Sequence, residues 1–188
     1  MLEKSFKFQL INYWRNIDKK IFLSFLILFF LGLFFSFSST SSLAGERLNK
    51  NYYFFFSKHL SFTILALLIM INISAVSTLL LKKLVIPLFT ISFALLGLVP
   101  IIGVEVNGAQ RWLDLHFFRL QPIEILKPFF ILMTVKILTL EKLQNSQVKY
   151  FFSFLLLCSV IMLLIDQPDL GQSILLIGSW VFTMFISG

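Results

Sequence analysis

The chain has 188 residues, of which 58% are hydrophobic and only 13% charged, with a formal net charge of +7. Soluble domains carry about 45–50% apolar and about 25% charged residues, and small ones bury the least of their surface. A water-soluble globule is therefore excluded, and the 24 phenylalanines, which need no hydrogen-bond partner, fit lipid as the solvent.

Taken in chain order, the apolar stretches predict about six spanning helices, each near the roughly 20 residues that a bilayer requires. They cover residues 21–39, 60–81, 84–104, 125–140, 150–165, and 170 onward to Gly188. The first lies between Lys19-Lys20 and Ser42-Leu43-Ala44, the order of a secretory leader. Its apolar run exceeds the roughly 7–15 residues of such leaders, and more spans follow, so it reads as a retained helix. Asn51-Tyr52-Tyr53-Phe54-Phe55-Phe56 reads as an interfacial anchor. Leu81-Lys82-Lys83-Leu84 reads as a link short enough to make spans two and three antiparallel neighbours. The fourth span carries Lys127 and Lys136 near its ends and is the weakest of the six. No internal repeat or linker marks a second domain. Residues 1–188 thus read as one all-α, polytopic transmembrane bundle.

The distribution of charge predicts the orientation. With a cytoplasmic amino terminus, the inner segments hold Lys4, Lys7, Arg15, Lys19, Lys20, Lys82, Lys83, Lys136, Lys142 and Lys149. Only Glu3, Asp18 and Glu141 oppose them. The outer segments balance Arg47, Lys50, Lys58, Arg111, Arg119 and Lys127 against Glu46, Glu105, Asp114, Glu124, Asp166 and Asp169. The whole basic excess faces inward, so it is a topology signal and nucleic acid is not expected as a partner. Cys158, alone in an apolar run, reads as packing. His59 and His116 have no metal-ligand spacing, and no metal site is expected from them.

Two stretches on the outer side carry ionisable groups. In the first, Asn107-Gly108 makes a turn. Trp112, Leu113, Leu115, Phe117 and Phe118 then alternate with charges, as in a segment lying in the interface. Pro122 suits the first turn of the fourth span. Glu124 and Lys127, three residues apart, share one helix face. They read either as a mutual ion pair, with Lys127 reaching for the headgroups, or as a functional pair at the membrane edge. In the second stretch, Asp166-Gln167-Pro168-Asp169-Leu170-Gly171, Asp169 is placed to cap the sixth span. Together Arg111, Glu124, Lys127 and Asp169 fall at one membrane depth. Such a mixture of charges suits a lipid-linked pyrophosphate, with cations for the phosphates and carboxylates to orient them or act as base.

Three ordered motifs resemble the signature of the SEDS family (shape, elongation, division and sporulation). They are Asn107-Gly108-Ala109-x-Arg111-Trp112, Gln121-Pro122-x-Glu124-x-x-Lys127 and Gln167-Pro168-Asp169-Leu170-Gly171. Asn107, Gly108, Trp112, Gln121, Pro122, Pro168 and Gly171 are the structural positions of that signature. Three further features favour the division branch over the elongation branch. These are residues 36–46 with the Asn51-Tyr52-Tyr53-Phe54 run, Glu124-x-x-Lys127-Pro128-Phe129, and Asp169-Leu170-Gly171-Gln172-Ser173 before Trp180. Two positions depart from the pattern: Ile123 stands where serine is usual, removing an expected cap, and His116 where glycine is usual.

The resemblance implies a fold of about ten spans, of which this sequence holds the amino-terminal part. It also implies a peptidoglycan glycosyltransferase polymerising lipid II at the outer face of a bacterial inner membrane. Undecaprenyl pyrophosphate is then the leaving group. Arg111 and Lys127 would supply phosphate electrostatics, Glu124 would hold Lys127, and Asp169 would belong to the same cavity. The family's proposed catalytic aspartate lies in a second-half outer loop, so no catalytic residue is expected here and the chain alone is expected to be inactive. The implied partners are a class B penicillin-binding protein and other divisome proteins. Whether a divalent cation takes part is not decided by these residues. A lipid II flippase and a non-catalytic assembly protein are the competing readings. A transport path predicts ionisable groups through the membrane depth, which spans two, three and five do not offer.

Overall fold

A computed structural model describes residues 17–39, 53–106, 108–116, 118–141 and 143–187. Several expectations fall outside the described residues: Lys4, Lys7 and Arg15, residues 40–52 with Arg47 and Lys50, Asn107, Phe117, Lys142 and Gly188. The chain divides into two compact units, residues 1–77 and 78–188.

The first unit holds two helices, α1 (Lys19–Ser39) and α2 (Phe54–Ser74). Asp18 starts α1 by accepting hydrogen bonds at Oδ1 from the backbone N–H of Lys20 (2.9 Å) and Ile21 (3.2 Å). The pair is apolar all round, the pattern of helices whose solvent is lipid. Aromatic contacts join them at one end, where the Phe37 ring stacks on Tyr53 and meets Phe56 edge-on. Helix α2 begins before the predicted residue 60, because Lys58 and His59 fit its first turns. It ends at Ser74, where the Asn72 and Ile73 carbonyls accept from the Ala75 and Val76 N–H groups.

The second unit holds α3 (Thr78–Ile102), α4 (Pro122–Leu138), α5 (Ser146–Ile165) and α6 (Leu170–Ser187). Lys82 and Lys83 do not form a link, as the sequence suggested. They lie within α3, where lysine is a good helix former, and the break falls at Ala75–Ser77. Buried residues recur in steps of four and three: Val85, Phe89, Ser92, Leu96 and Val99 on α3, and Ser153, Leu157, Val160 and Leu164 on α5. That is the spacing of helices packed at a shallow left-handed angle. Helix α4 is the middle of the unit, touching α3, α5, α6 and the strand Ala109–Asp114. Its Ile123, Leu126 and Phe130 are wholly buried. It has 17 residues, and α1, α2, α3, α5 and α6 are the five described helices long and apolar enough to cross a membrane.

Small polar residues face this core. The hydroxyls of Ser92, Ser153 and Ser173 satisfy themselves by donating to carbonyls of their own helices, and their size lets backbones approach. Trp180 Nε1 donates to Ser153 Oγ across α5 and α6 (3.4 Å).

Between α3 and α4 the chain forms a small antiparallel sheet, β1 (Val104–Val106), β2 (Ala109–Asp114) and β3 (Arg119–Leu120), in the order β1-β2-β3. The expected interfacial segment is thus a folded hairpin. Val106 pairs with Ala109, and Gly108 between the two strands takes φ +80°. Asn-Gly is the sequence that such left-handed hairpin loops prefer. Gly103 turns the chain from α3 into β1, and a Cβ there would lie 2.3 Å from the Val99 carbonyl oxygen. No side chain fits without moving backbone.

The two departures from the family signature have structural answers. His116 occupies the left-handed region at φ 66°, so the backbone keeps a conformation that suits glycine. The Asp114 carboxylate steadies it by accepting from the His116 N–H (2.8 Å). Ile123 does not stand at a cap position, contrary to expectation. The residue before the helix is Gln121, Pro122 is its first residue, and Ile123 is fully buried in the core. A hydroxyl at 123 would face apolar neighbours.

A candidate anionic-lipid site at one end of the second unit

The strand β2 aims the first residue of the site. Along a strand, alternate side chains share a face, and here Ala109, Arg111 and Leu113 face the protein while Gln110 and Asp114 are exposed. Leu113 is buried and seats the strand. Arg111 therefore reaches the turn between α5 and α6.

That turn is built around a carbonyl which proline leaves without a donor. Pro100 lies inside α3 and has no N–H, so the carbonyl of Leu96, one turn earlier, loses its helical partner. Leu96 is fully buried, where an unpaired carbonyl costs about 1–3 kcal/mol. The side chain of Gln167, itself 1% exposed, donates to that oxygen from Nε2 at 3.2 Å. Anchored in this way, the turn presents its backbone outward. Arg111 Nε donates to the Gln167 carbonyl (3.1 Å), and Nη2 donates to that of Pro168.

Asp169 completes the first cluster. Its carboxylate lies 3.7 Å from Arg111 Nε, with side-chain exposures of 9% for Asp169 and 33% for Arg111. Gln121 Nε2 donates to Oδ2 (3.2 Å), and the Gln172 backbone N–H reaches Oδ1 (3.4 Å). The last contact caps α6 as the sequence suggested, and a negative charge is favoured at a helix N-terminus.

The second cluster sits on α4. Lys127 Nζ is 2.7 Å from Glu124 Oε2, the i,i+3 pair read from the sequence. Gln172 locks it: Lys127 Nζ donates to Gln172 Oε1 (3.0 Å), and Gln172 Nε2 donates to Glu124 Oε1 (2.8 Å). Since Gln172 also touches Asp169 through its backbone, Arg111, Glu124, Lys127 and Asp169 belong to one connected network. An ammonium has three protons, and two of those on Lys127 are engaged. Its side chain keeps 26% of its surface exposed. Arg111 commits Nε and one Nη2 proton to the turn, but its side chain stays 33% exposed and its remaining N–H groups are free for a ligand. Both cations can therefore meet an outside anion.

The other signature residues surround this network. Pro122 is buried at the start of α4, Trp112 is half-buried on β2 opposite Val104, and Gly171 lies in the first turn of α6. A Cβ at Gly171 would meet only Asp169 Oδ1, at an ordinary 4.0 Å. Sequence reading did not single out Gln167 or Gln172 for a role. The signal for Gln167 was Pro100 within an apolar helix, which announces a carbonyl in need of a donor. Gln172 stood out only as a member of the Asp169-Leu170-Gly171-Gln172-Ser173 run, one turn after Asp169.

Comparison with known proteins agrees with the motif reading. The sequence profile of the cell cycle protein family FtsW/RodA/SpoVE matches residues 18–188. A relative from Wigglesworthia glossinidia brevipalpis, named probable peptidoglycan glycosyltransferase FtsW, is 31% identical over 91% of this chain and 45% of its own length. Peptidoglycan glycosyltransferase MrdB of Escherichia coli is 38% identical over 54% of this chain and 27% of its own. The crystal structure of the rod shape determining protein RodA of Thermus thermophilus superimposes with a TM-score of 0.63 at 28% identity, covering 84% of this chain and 53% of that one. A chain from a structure titled as a peptidoglycan synthase complex, coordinating polymerization and crosslinking, gives a TM-score of 0.63 at 29% identity, over 84% of this chain and 47% of that one. The chain spans less than half the length of the FtsW relatives it matches. By profile, identity and fold, it belongs to the FtsW/RodA/SpoVE family of cell cycle proteins and is a multi-pass membrane protein.

Proposed function

We propose that the chain carries the lipid-pyrophosphate-binding part of a peptidoglycan glycosyltransferase that polymerises lipid II during septal wall synthesis. The observation that carries this reading is the Arg111–Asp169–Gln172–Lys127–Glu124 network, which holds a partly exposed ammonium beside braced neighbours. A fixed cation is what the developing charge of a pyrophosphate leaving group requires. In this reading Lys127 and the exposed part of the Arg111 guanidinium meet the phosphates, and Glu124 and Gln172 orient the ammonium. Arg111 and Asp169 keep the α5–α6 turn in register.

The orientation proposed from the basic residues puts the amino terminus in the cytoplasm of a bacterial inner membrane and this network at the periplasmic face. By the family resemblance the base for the attacking sugar lies in an outer loop of the family's second half, and the part proposed for these residues is to bind the substrate's pyrophosphate. A class B penicillin-binding protein and divisome components are its proposed partners. Resemblance to the division branch favours septal synthesis, and elongation is the alternative branch. A flippase is less well supported: Lys58, Lys82, Lys83 and Lys149 lie in the first turns of their helices rather than at mid-depth.

Titration of fluorescent lipid II into nanodiscs holding the chain tests the reading. Saturable binding, weakened at least about tenfold by Lys127→Ala, is expected, roughly the 1.5–3 kcal/mol of a hydrogen bond to a charged group. Absence of binding, or binding indifferent to Lys127→Ala, would overturn it.

A further inference from the structure

The opposite end of the second unit carries a different feature. Helix α3 has 25 residues, roughly 37 Å at 1.5 Å per residue, so Lys82 and Lys83 lie a membrane's thickness away from the hairpin bearing Arg111. At their end, a cavity of about 770 Å³ opens between α3, α4 and α5. Its walls include Ile86, Met133, Ile137, Leu155 and Leu156, and among the described residues its one charged lining residue is Lys136. That volume falls within the roughly 300–1,000 Å³ of pockets that enclose small ligands.

The rim of this cavity is basic. Lys136 Nζ donates to the carbonyl of Lys82 (2.8 Å), which brings the last turn of α4 against the first turns of α3. Lys82 and Lys83 are exposed and precede Ile86 by four and three residues, one turn away. Among the described residues, no carboxylate forms an ion pair with Lys82, Lys83 or Lys136. Glu141, exposed just past α4, is the nearest acidic group along the chain. Lys136 uses one of three protons on Lys82, leaving two for a ligand.

We infer that this cavity is a site for one anionic phospholipid, with an acyl chain between α3, α4 and α5 and its phosphate at Lys136, Lys82 and Lys83. The lining has almost no hydrogen-bonding groups, so it selects a hydrocarbon tail. Three lysines without an ion-pair partner among the described residues select a headgroup of net negative charge over a zwitterion. Basic pockets between spanning helices bind such headgroups for this reason. The inference stands apart from the site at Arg111 and holds whichever face of the membrane the lysines occupy.

Native mass spectrometry of the full chain in detergent, with added dioleoyl phosphatidylglycerol or dioleoyl phosphatidylcholine, tests it. One phosphatidylglycerol should bind per chain at least about tenfold more tightly than phosphatidylcholine, since each lysine contributes roughly fivefold. Lys136→Gln should reduce phosphatidylglycerol binding roughly fivefold and leave phosphatidylcholine unchanged, while Lys136→Arg keeps the preference. Leu155, 46% exposed on the open side, can be enlarged without crowding the core, and Leu155→Trp should weaken both lipids by filling the cavity. Lys58→Gln, in the first unit, should change nothing. Equal retention of the two lipids, or phosphatidylglycerol binding unmoved by Lys136→Gln or by Leu155→Trp, would overturn the assignment.

Discussion

The two ion pairs of the network look alike on paper and differ in everything that decides energy. Glu124 and Lys127 are three residues apart, approach to 2.7 Å, and expose 50% and 26% of their side chains. Arg111 and Asp169 are 58 positions apart along the chain, approach only to 3.7 Å, and expose 33% and 9%. The shorter contact is local and wet, so solvent screens it and its formation orders little else. The longer one joins strand β2 to the α5–α6 turn, shares its partners with Gln121, Gln167 and Pro168, and holds a nearly buried carboxylate. Distance alone would rank them the wrong way round. Burial and the number of elements tied together give the order: the Arg111–Asp169 pair holds the network together, and the Glu124–Lys127 pair is the part proposed to face a ligand.

The sharpest way to break that ordering is to remove the buried carboxylate. Asp169→Ala should cost about 3 kcal/mol, the low end of the 3–5 range for breaking a buried pair, because Arg111 keeps a third of its surface in solvent. Asp169→Asn keeps the α6 cap and should cost less, and thermal unfolding followed by circular dichroism in detergent measures both. A cost for Lys127→Met equal to that for Asp169→Ala would refute the comparison.

Next in size is the brace beneath Arg111. Gln167→Leu leaves the Leu96 carbonyl unpaired and should cost about 1–3 kcal/mol. Pro100→Ala returns an N–H to α3, so in that background Gln167→Leu should cost markedly less, a coupling that a double-mutant cycle reads directly. Additive costs would mean that the proline and the glutamine are unrelated.

The exposed pair should barely register in stability. Lys127→Met is expected to shift unfolding by under about 1 kcal/mol while weakening lipid II binding. In the hairpin beside β2, His116→Gly should stabilise by about 1 kcal/mol, since the left-handed backbone penalises a residue with a Cβ by about 1–2 kcal/mol. A loss of stability there would show that the imidazole makes a contact worth more than the strain.

Most of the helical architecture could be read from hydropathy, because long uncharged runs in a membrane admit few structures. The boundary between α2 and α3 could not. Lys82-Lys83 looked like a loop, yet lysines near a helix end cost little when their ammonium groups reach the boundary. The hairpin was half visible: Asn107-Gly108 marked a turn, but β1 and β3, of three and two residues, are too short to show alternation, and in β2 an arginine, Arg111, stands at an inward position. The charged members of the site were evident as ionisable groups at a membrane edge. Gln167 and Gln172 were not, because an uncharged amide earns notice only once the orphan carbonyl or the neighbouring ion pair is known.

Site-directed labelling across a sealed membrane tests most directly the claim that the network faces the periplasm and the lysine-rimmed end faces the cytoplasm. In a Cys158→Ala background, Asp114→Cys reports the hairpin end and Lys83→Cys the other, both exposed positions. An impermeant maleimide added to intact spheroplasts should modify Asp114→Cys and spare Lys83→Cys, with the pattern reversed in inverted vesicles. Reaction of both from the same side, or of Asp114→Cys only in inverted vesicles, would contradict the account.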